Sequence, residues 1–206
     1  MDQKKLWNQI WNRDDRLLSN NFAKRSFSEI KNKPLISLLD IGCGIGVDSI
    51  FFAQNGLKVT AVDFSESGIR KFKQTIEHKK IKNIILLQED ISDFKFPPNS
   101  FDVVYAHLSL HYFDDQTTTK IFNRLYKILK PKGLFFIKCK STDDHLYGRG
   151  KKIEKDMYLR QGHIRHFFSK EYMAEKLKKF RVLKIRKTSS TYHTYKSFFI
   201  EAAATK

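Results

Sequence analysis

Residues 38–63 read LLDIGCGIGVDSIFFAQNGLKVTAVD: an apolar run, a glycine-rich turn, a helix-forming segment, a second apolar run and a closing acid. That order predicts strand, tight loop, helix and strand, the arrangement that binds an adenine-nucleoside cofactor at its loop. Gly42, Gly44 and Gly46 let the backbone turn sharply and remove side chains that would hold a ligand at a distance. Asp63 ends the second apolar run, where a carboxylate can accept hydrogen bonds from both ribose hydroxyls.

The spacing separates two kinds of glycine loop. A dinucleotide fingerprint, G-x-G-x-x-G, needs glycine at 47, where this chain has Val47; the third glycine comes one residue earlier and Asp40 precedes the loop, giving D-x-G-x-G-x-G. No Gly-Lys-Ser/Thr follows, which excludes a Walker loop. The pattern resembles the first motif of the class I S-adenosylmethionine-dependent methyltransferases. In that family an acid after the third strand receives the adenine amino group and the next residue's backbone meets the ring; Asp90-Ile91, after the apolar run at 84–88, match those positions. The F-D-x-V run at 101–104 and Leu129-Lys130-Pro131-Lys132-Gly133 before the next apolar run resemble further family motifs. The resemblance extends from about residue 35 to the C-terminus. It implies S-adenosylmethionine as cofactor, with S-adenosylhomocysteine as product, on Asp40, Gly42, Cys43, Gly44, Gly46, Asp63, Phe64, Asp90, Ile91 and His107.

Working outward, residues 1–33 read as a helical arm. Leu6, Trp7, Ile10 and Trp11 recur at helical spacing on one face, so the tryptophans pack on the domain or also cover the cofactor or acceptor pocket. Lys33-Pro34 ends the arm. Residues 34–206 are expected to form one α/β domain, with strands at about 36–41, 58–63, 84–88, 101–107 and from 134. Helices follow the glycine loop (Val47, Ile50 and Phe51 on one side), Ser65, Asp114 or Asp115, and Ser169. Strands at 181–187 and 195–203, joined by a polar turn, should close the sheet as an antiparallel hairpin. The expected fold is therefore a three-layer Rossmann-like sandwich on a mostly parallel seven-stranded sheet.

Residues 141–168 are expected to be a long substrate-recognition loop, since connections of this length are commonly functional and its aromatics argue against disorder. By position, Tyr147, His163, Arg165 and His166 are acceptor-site candidates, with Arg149 and Arg165 suited to an anionic group. The sulfonium already activates the methyl group, so transfer needs chiefly orientation, which supplies about 7–11 kcal/mol of such a barrier. A general base is required only for an acceptor protonated at neutral pH; His107, His111 and His166 are the candidates. Asp102 is expected to bond loop backbone.

At 206 residues the chain suits one domain. No window is apolar for long enough to span a membrane and residues 1–15 lack a signal-peptide core, so a cytoplasmic protein is expected. Cys43 and Cys139 lack partner spacing; neither a disulfide nor a metal site is suggested, and both read as small buried hydrophobes. The net charge of +17 is spread over scattered lysines. A solvated basic surface accounts for it, and nucleic-acid binding is the alternative. No N/D-P-P-Y run follows the fourth strand and no catalytic Pro-Cys is present, which disfavours nucleic-acid methylation. The expected partner is a small-molecule methyl acceptor, the alternatives being RNA or protein as acceptor, or cofactor binding without catalysis.

Overall fold

A computed structural model describes residues 3–13, 20–34, 36–192 and 195–206. After α1 (Gln3–Arg13) and α2 (Asn21–Ile30) the chain alternates through β1 (Ser37–Ile41), α3 (Val47–Gln54), β2 (Lys58–Asp63), α4 (Glu66–Lys79), β3 (Ile84–Gln88), β4 (Phe101–His107), α5 (Asp115–Ile128) and β5 (Leu129–Lys140). A three-stranded excursion follows, β6 (Lys151–Glu154), β7 (Met157–Arg160) and β8 (His163–His166), then α6 (Lys170–Lys176), β9 (Arg181–Tyr192) and β10 (Tyr195–Thr205). The main sheet runs β3-β2-β1-β4-β5-β10-β9. Its first four pairings are parallel, and β10 is antiparallel to both β5 and β9.

The expected caps form, each satisfying an N–H that a helix start leaves unpaired. Ser65 Oγ accepts from Gly68 N, Asp114 Oδ1 from Thr117 N, and Ser169 Oγ from Tyr172 N. Apolar side chains from both faces of the sheet build two cores, as strands covered on both sides require. One gathers Phe122, Leu125 and Met173 of α5 and α6; the other gathers Phe22, Phe52 and Phe72 of α2, α3 and α4. Asp102 accepts from Ile36 N, Ser37 N and Ser37 Oγ at 2.7–3.2 Å, tying the start of β4 to the start of β1.

Four expectations change. Residues 141–168 are not a long loop: β6, β7 and β8 pair antiparallel as a separate small sheet. Its turns fall at Asp156 and at Gln161 and Gly162, all with positive φ, and such turns in polar sequence concealed the strands. β5 starts at Leu129 rather than 134, passing through Pro131 and Gly133 with Lys132 at φ 63. β9 continues to Tyr192, taking in most of the expected turn; residues 193–194 lie outside the described residues. On α3 Phe52 is buried beside the expected Ile50, while Phe51 is half-buried against the same core.

Parallel strands bring their C-terminal ends to one edge of the sheet, so Ile41, Asp63, Gln88 and His107 end beside one another although the chain separates them. Among the described residues no helix is long and apolar enough to cross a membrane.

Candidate functional site

The glycine loop is fixed from behind by β2. Gly42 N and Cys43 N both donate to Val62 O, at 2.8 and 3.0 Å. Asp63 clamps the loop from the side, Oδ2 accepting from Gly44 N at 2.9 Å and Oδ1 from Ser65 N at 2.8 Å. Gly44 has φ +56, and an added Cβ would lie 2.5 Å from the Trp11 ring, so only glycine lets α1 lie against the loop. On the other side Ser109 Oγ donates to Ile41 O at 2.6 Å, locking the end of β4 onto the end of β1.

Beside this loop lies a cavity of about 610 Å³, within the usual range for a small-molecule site. Asp40, Gly42, Cys43, Asp63 and Phe64 line one side, and Asp90, Ile91 and His107 lie further round the wall. Gly44 and Gly46 stand behind it, Gly44 bonded to Asp63 and Gly46 at the start of α3. Asp90 Oδ1 already accepts from Ser92 N at 2.7 Å. Cys139 is buried in the core; Cys43 is only half-buried, between core and cavity.

The roof is α1. Gln3, Lys4, Trp7 and Trp11 line the cavity, and the two indoles stack with centroids 5.6 Å apart. Trp7 meets Tyr112 and His163 edge-on at 5.2 and 5.8 Å. Asn8 anchors the helix on α4, receiving Ser65 Oγ on its side chain and Ser67 Oγ on its carbonyl, both at 2.7 Å. No α1 residue is fully buried, so the roof rests on aromatic contact and a few hydrogen bonds.

The acceptor-site candidates are placed unequally. Arg165 stands near Tyr112, a wall residue whose pKa burial raises and the Arg165 guanidinium holds back. His163 reaches the cavity only through Trp7. Tyr147, 38% exposed, donates to Asp156 Oδ1 at 2.7 Å and packs on Tyr158 and Phe167; Arg149 is exposed; neither lines the cavity. His166 is buried against Tyr172, with Nδ1 3.3 Å from Phe113 O, and burial holds its pKa below the ordinary value. His111 is buried beside the Tyr112 ring, and burial, with Arg165 adding to it, pushes its pKa well down. Of the three histidines considered as bases, His107 alone lines the cavity.

Asn20, Asp48, Tyr105 and Tyr112 escaped the sequence reading. Asp48 Oδ2 accepts from Asn20 Nδ2 at 2.5 Å and from Tyr105 Oη at 3.0 Å. Its position in the first turn of α3 was a readable signal, since acids favour helix N-termini. Asn20 carried a local signal as the N-cap of α2, accepting from Phe22 N and Ala23 N, but its contacts with Asp48 and His107 are remote in sequence.

In a chain of charge +17 the cavity wall holds, among the described residues, five acids: Asp40, Asp48, Asp63, Glu89 and Asp90. Burial raises Asp48 and Asp63 above the ordinary carboxylate value, against the hydrogen bonds each receives. Asp40, 2% exposed, goes furthest. Burial, opposed by the Ser49 hydroxyl and reinforced by Asp48 and Asp63, carries its pKa from 3.8 to about 8. The folded chain thus keeps a proton that the unfolded chain releases above pH 3.8, so Asp40's contribution to stability is full below that pH and is lost as pH rises through about 8. Asp40→Asn keeps an acceptor for Ser49 and cannot ionise. Without ligand, its melting temperature should gain on the wild type steadily between pH 5 and pH 8; a constant difference would contradict the burial argument.

A mostly parallel seven-stranded sheet closed by an antiparallel pair, with a glycine loop after β1 and acids at the ends of the next two strands, defines a Rossmann-like methyltransferase domain. Residues 38–133 match the family model described as a methyltransferase domain. A tRNA N(3)-cytidine methyltransferase of Rattus norvegicus is 26% identical over 195 residues, 84% of this chain and 66% of its own length. A phosphoethanolamine N-methyltransferase of Triticum aestivum is 34% identical over 104 residues, 50% of this chain and 21% of its own. The match thus spans from about a fifth to two thirds of these relatives' lengths. Among solved structures, a SAM-dependent methyltransferase from Methanosarcina mazei superposes with a TM-score of 0.77 at 22% identity, over 87% of this chain and 96% of that one. Residues 38–133 thus carry a methyltransferase domain, and the fold around them is that of solved S-adenosylmethionine-dependent methyltransferases.

Proposed function

We propose that this protein transfers a methyl group to a small-molecule acceptor inside the cavity under α1. The observation carrying the proposal is the acid-lined wall in an otherwise basic protein. Buried carboxylates with raised pKa are stabilised by a cation beside them, and such a wall repels polyphosphate. S-adenosylmethionine, when bound, supplies an already activated methyl group on a cationic sulfur. In this reading Asp63 accepts from the ribose hydroxyls, Asp90 and the Ile91 backbone meet the adenine, and Gly42 and Cys43 leave room along the loop. Trp7 and Trp11 close the roof and exclude water. The Arg165 guanidinium adds positive charge near Tyr112 on the acceptor side. The similarity to a phosphoethanolamine methyltransferase supports a small acceptor.

A second reading, RNA as the acceptor, has its own support in the net charge and in the similarity to a tRNA methyltransferase over most of the chain. Methyl-labelled S-adenosylmethionine, offered with thiol, hydroxyl, amine and metalloid small acceptors and separately with bulk tRNA, distinguishes the two. We expect label in a small acceptor and none in tRNA. Label in tRNA alone, with salt-sensitive retention of the RNA, would replace the proposal. Binding of S-adenosylhomocysteine with no label transferred to any acceptor would point to a non-catalytic cofactor-binding protein.

A further inference from the structure

The two ends of the main sheet are unlike. At one end β9 carries Arg181, Lys184, Arg186 and Lys187 along its length, and charges of that kind keep an open edge from pairing with another chain. At the other end β3 reads Ile84-Ile85-Leu86-Leu87-Gln88 and carries none. Among the described residues β3 pairs with β2 alone. Ile84 and Leu86 pack against one core and Leu87 against the other, yet Ile85 between them is 62% exposed.

The backbone fixes how a further strand adds to this edge. Asn83 O accepts from Val59 N at 2.9 Å, and Glu89 N donates to Asp63 O at 3.1 Å. Successive residues of a strand turn their backbone groups to opposite neighbours. Residues 83, 85, 87 and 89 therefore bond β2, while Ile84, Leu86 and Gln88 present their N–H and C=O groups to the open edge. An antiparallel strand that uses all three must set its own outward residues opposite them. For a second β3 that condition gives one register, Leu86 opposite Leu86 and Ile84 opposite Gln88, which closes about six backbone hydrogen bonds. Ile85 then faces Leu87 of the second copy in a non-hydrogen-bonded pair, where Cα atoms approach to about 4.5 Å and the exposed isoleucine is covered.

The flanking charges agree with that register. Lys79, Lys80 and Lys82 precede the strand, Glu89, Asp90 and Asp93 follow it, and all six are exposed. Antiparallel pairing of two copies lays the basic end of each along the acidic end of the other, with Lys82 opposite Asp90. Parallel pairing would set like charges together.

We propose that two copies of this chain associate through β3, edge to edge about a twofold axis, so that one sheet continues through both. The contact is self-complementary and uses up the open edge, so assembly stops at the dimer. The net charge of +17 opposes self-association, but charges farther apart than about 8 Å are largely screened at physiological salt, and opposite charges meet at the contact itself. A single strand pair buries little surface, which places the dimer in the weak class. Asp90 also lines the cavity, so the contact adjoins both cavities.

Sedimentation equilibrium on the full chain, with no ligand added, tests the proposal. The mass should rise toward twice that of one chain as the concentration approaches about 100 µM. Ile85→Lys changes an exposed side chain and should weaken association at least about tenfold. Lys82→Glu and Asp90→Lys should each do the same, because each sets like charges opposite one another at both ends of the pair. An equimolar mixture of those two variants restores opposite charges at both ends and should associate as the wild type does. A wild type that stays monomeric at about 100 µM overturns the proposal, as does a dimer that Ile85→Lys leaves intact. With both charge variants folded by circular dichroism, a mixture that associates no more tightly than either variant alone rejects the antiparallel register. The readout is mass alone, so the result stands apart from the methyl-transfer reading.

Discussion

Replacing Asp63 by alanine is expected to weaken S-adenosylhomocysteine binding at least about a hundredfold, or about 2.8 kcal/mol. The carboxylate has two tasks in one place. It receives Gly44 N–H and Ser65 N–H, and a hydrogen bond to a charged group contributes about 1.5–3 kcal/mol. Alanine leaves both backbone donors buried without that partner, so the glycine loop loses its side support. It also removes the acceptor proposed for the ribose hydroxyls. Burial holds the Asp63 pKa up, against the N–H groups of Ser65, Gly44 and Phe64; two ribose donors would complete the neutralisation those groups begin. Asp63→Asn keeps one acceptor oxygen but turns an NH₂ toward donors, so an intermediate loss of about tenfold is expected. Calorimetry on the wild type and both variants, with thermal melts to confirm folding, decides the matter. Binding to folded Asp63→Ala within about threefold of a binding wild type would remove Asp63 from the site.

Gly46→Ala should cost the fold about 3–5 kcal/mol, a large part of a typical domain's stability. Gly46 has φ +78, the left-handed region, at the N-cap of α3; a non-glycine residue there costs about 1–3 kcal/mol. The added Cβ would lie 2.2 Å from Phe72 Cζ. Phe72 is fully buried among Phe52 and Val59, so it cannot swing aside, and overpacking a core costs a further 1–3 kcal/mol or about that. Gly56→Ala provides the comparison. Gly56 also has positive φ, but an added Cβ there meets nothing within 4 Å, so about 1–2 kcal/mol of backbone strain is expected. Urea unfolding of the two variants measures the difference, and equal midpoints would show that Phe72 yields.

Much of the fold could be read from the chain because each signal was local. The glycine spacing, Asp63, Asp90-Ile91, the caps at Ser65, Asp114 and Ser169, and the apolar strands lie within single elements or at their ends. The small sheet was not legible. Its strands are four residues each and mostly polar, so no run of period two or apolar block stands out from a loop. Arg165, picked for an anionic group, stands near Tyr112 of the cavity wall without lining the cavity itself. None of Tyr147, Arg149 and Arg165 lines the cavity: antiparallel pairing sets Arg165 opposite Tyr158, on which Tyr147 packs.

What the sequence determined by itself was the glycine-loop side of the cavity: successive parallel strands must deliver Ile41, Asp63 and Gln88 to one edge, so motifs at strand ends are neighbours in space. Only the tertiary structure decided the other half. Asn20 lies 28 residues from Asp48 and 87 from His107, and α1 meets the loop through a tryptophan ring laid against Gly44. Contacts of that range depend on how a terminal helix docks on a finished sheet, and no local pattern in either partner encodes them.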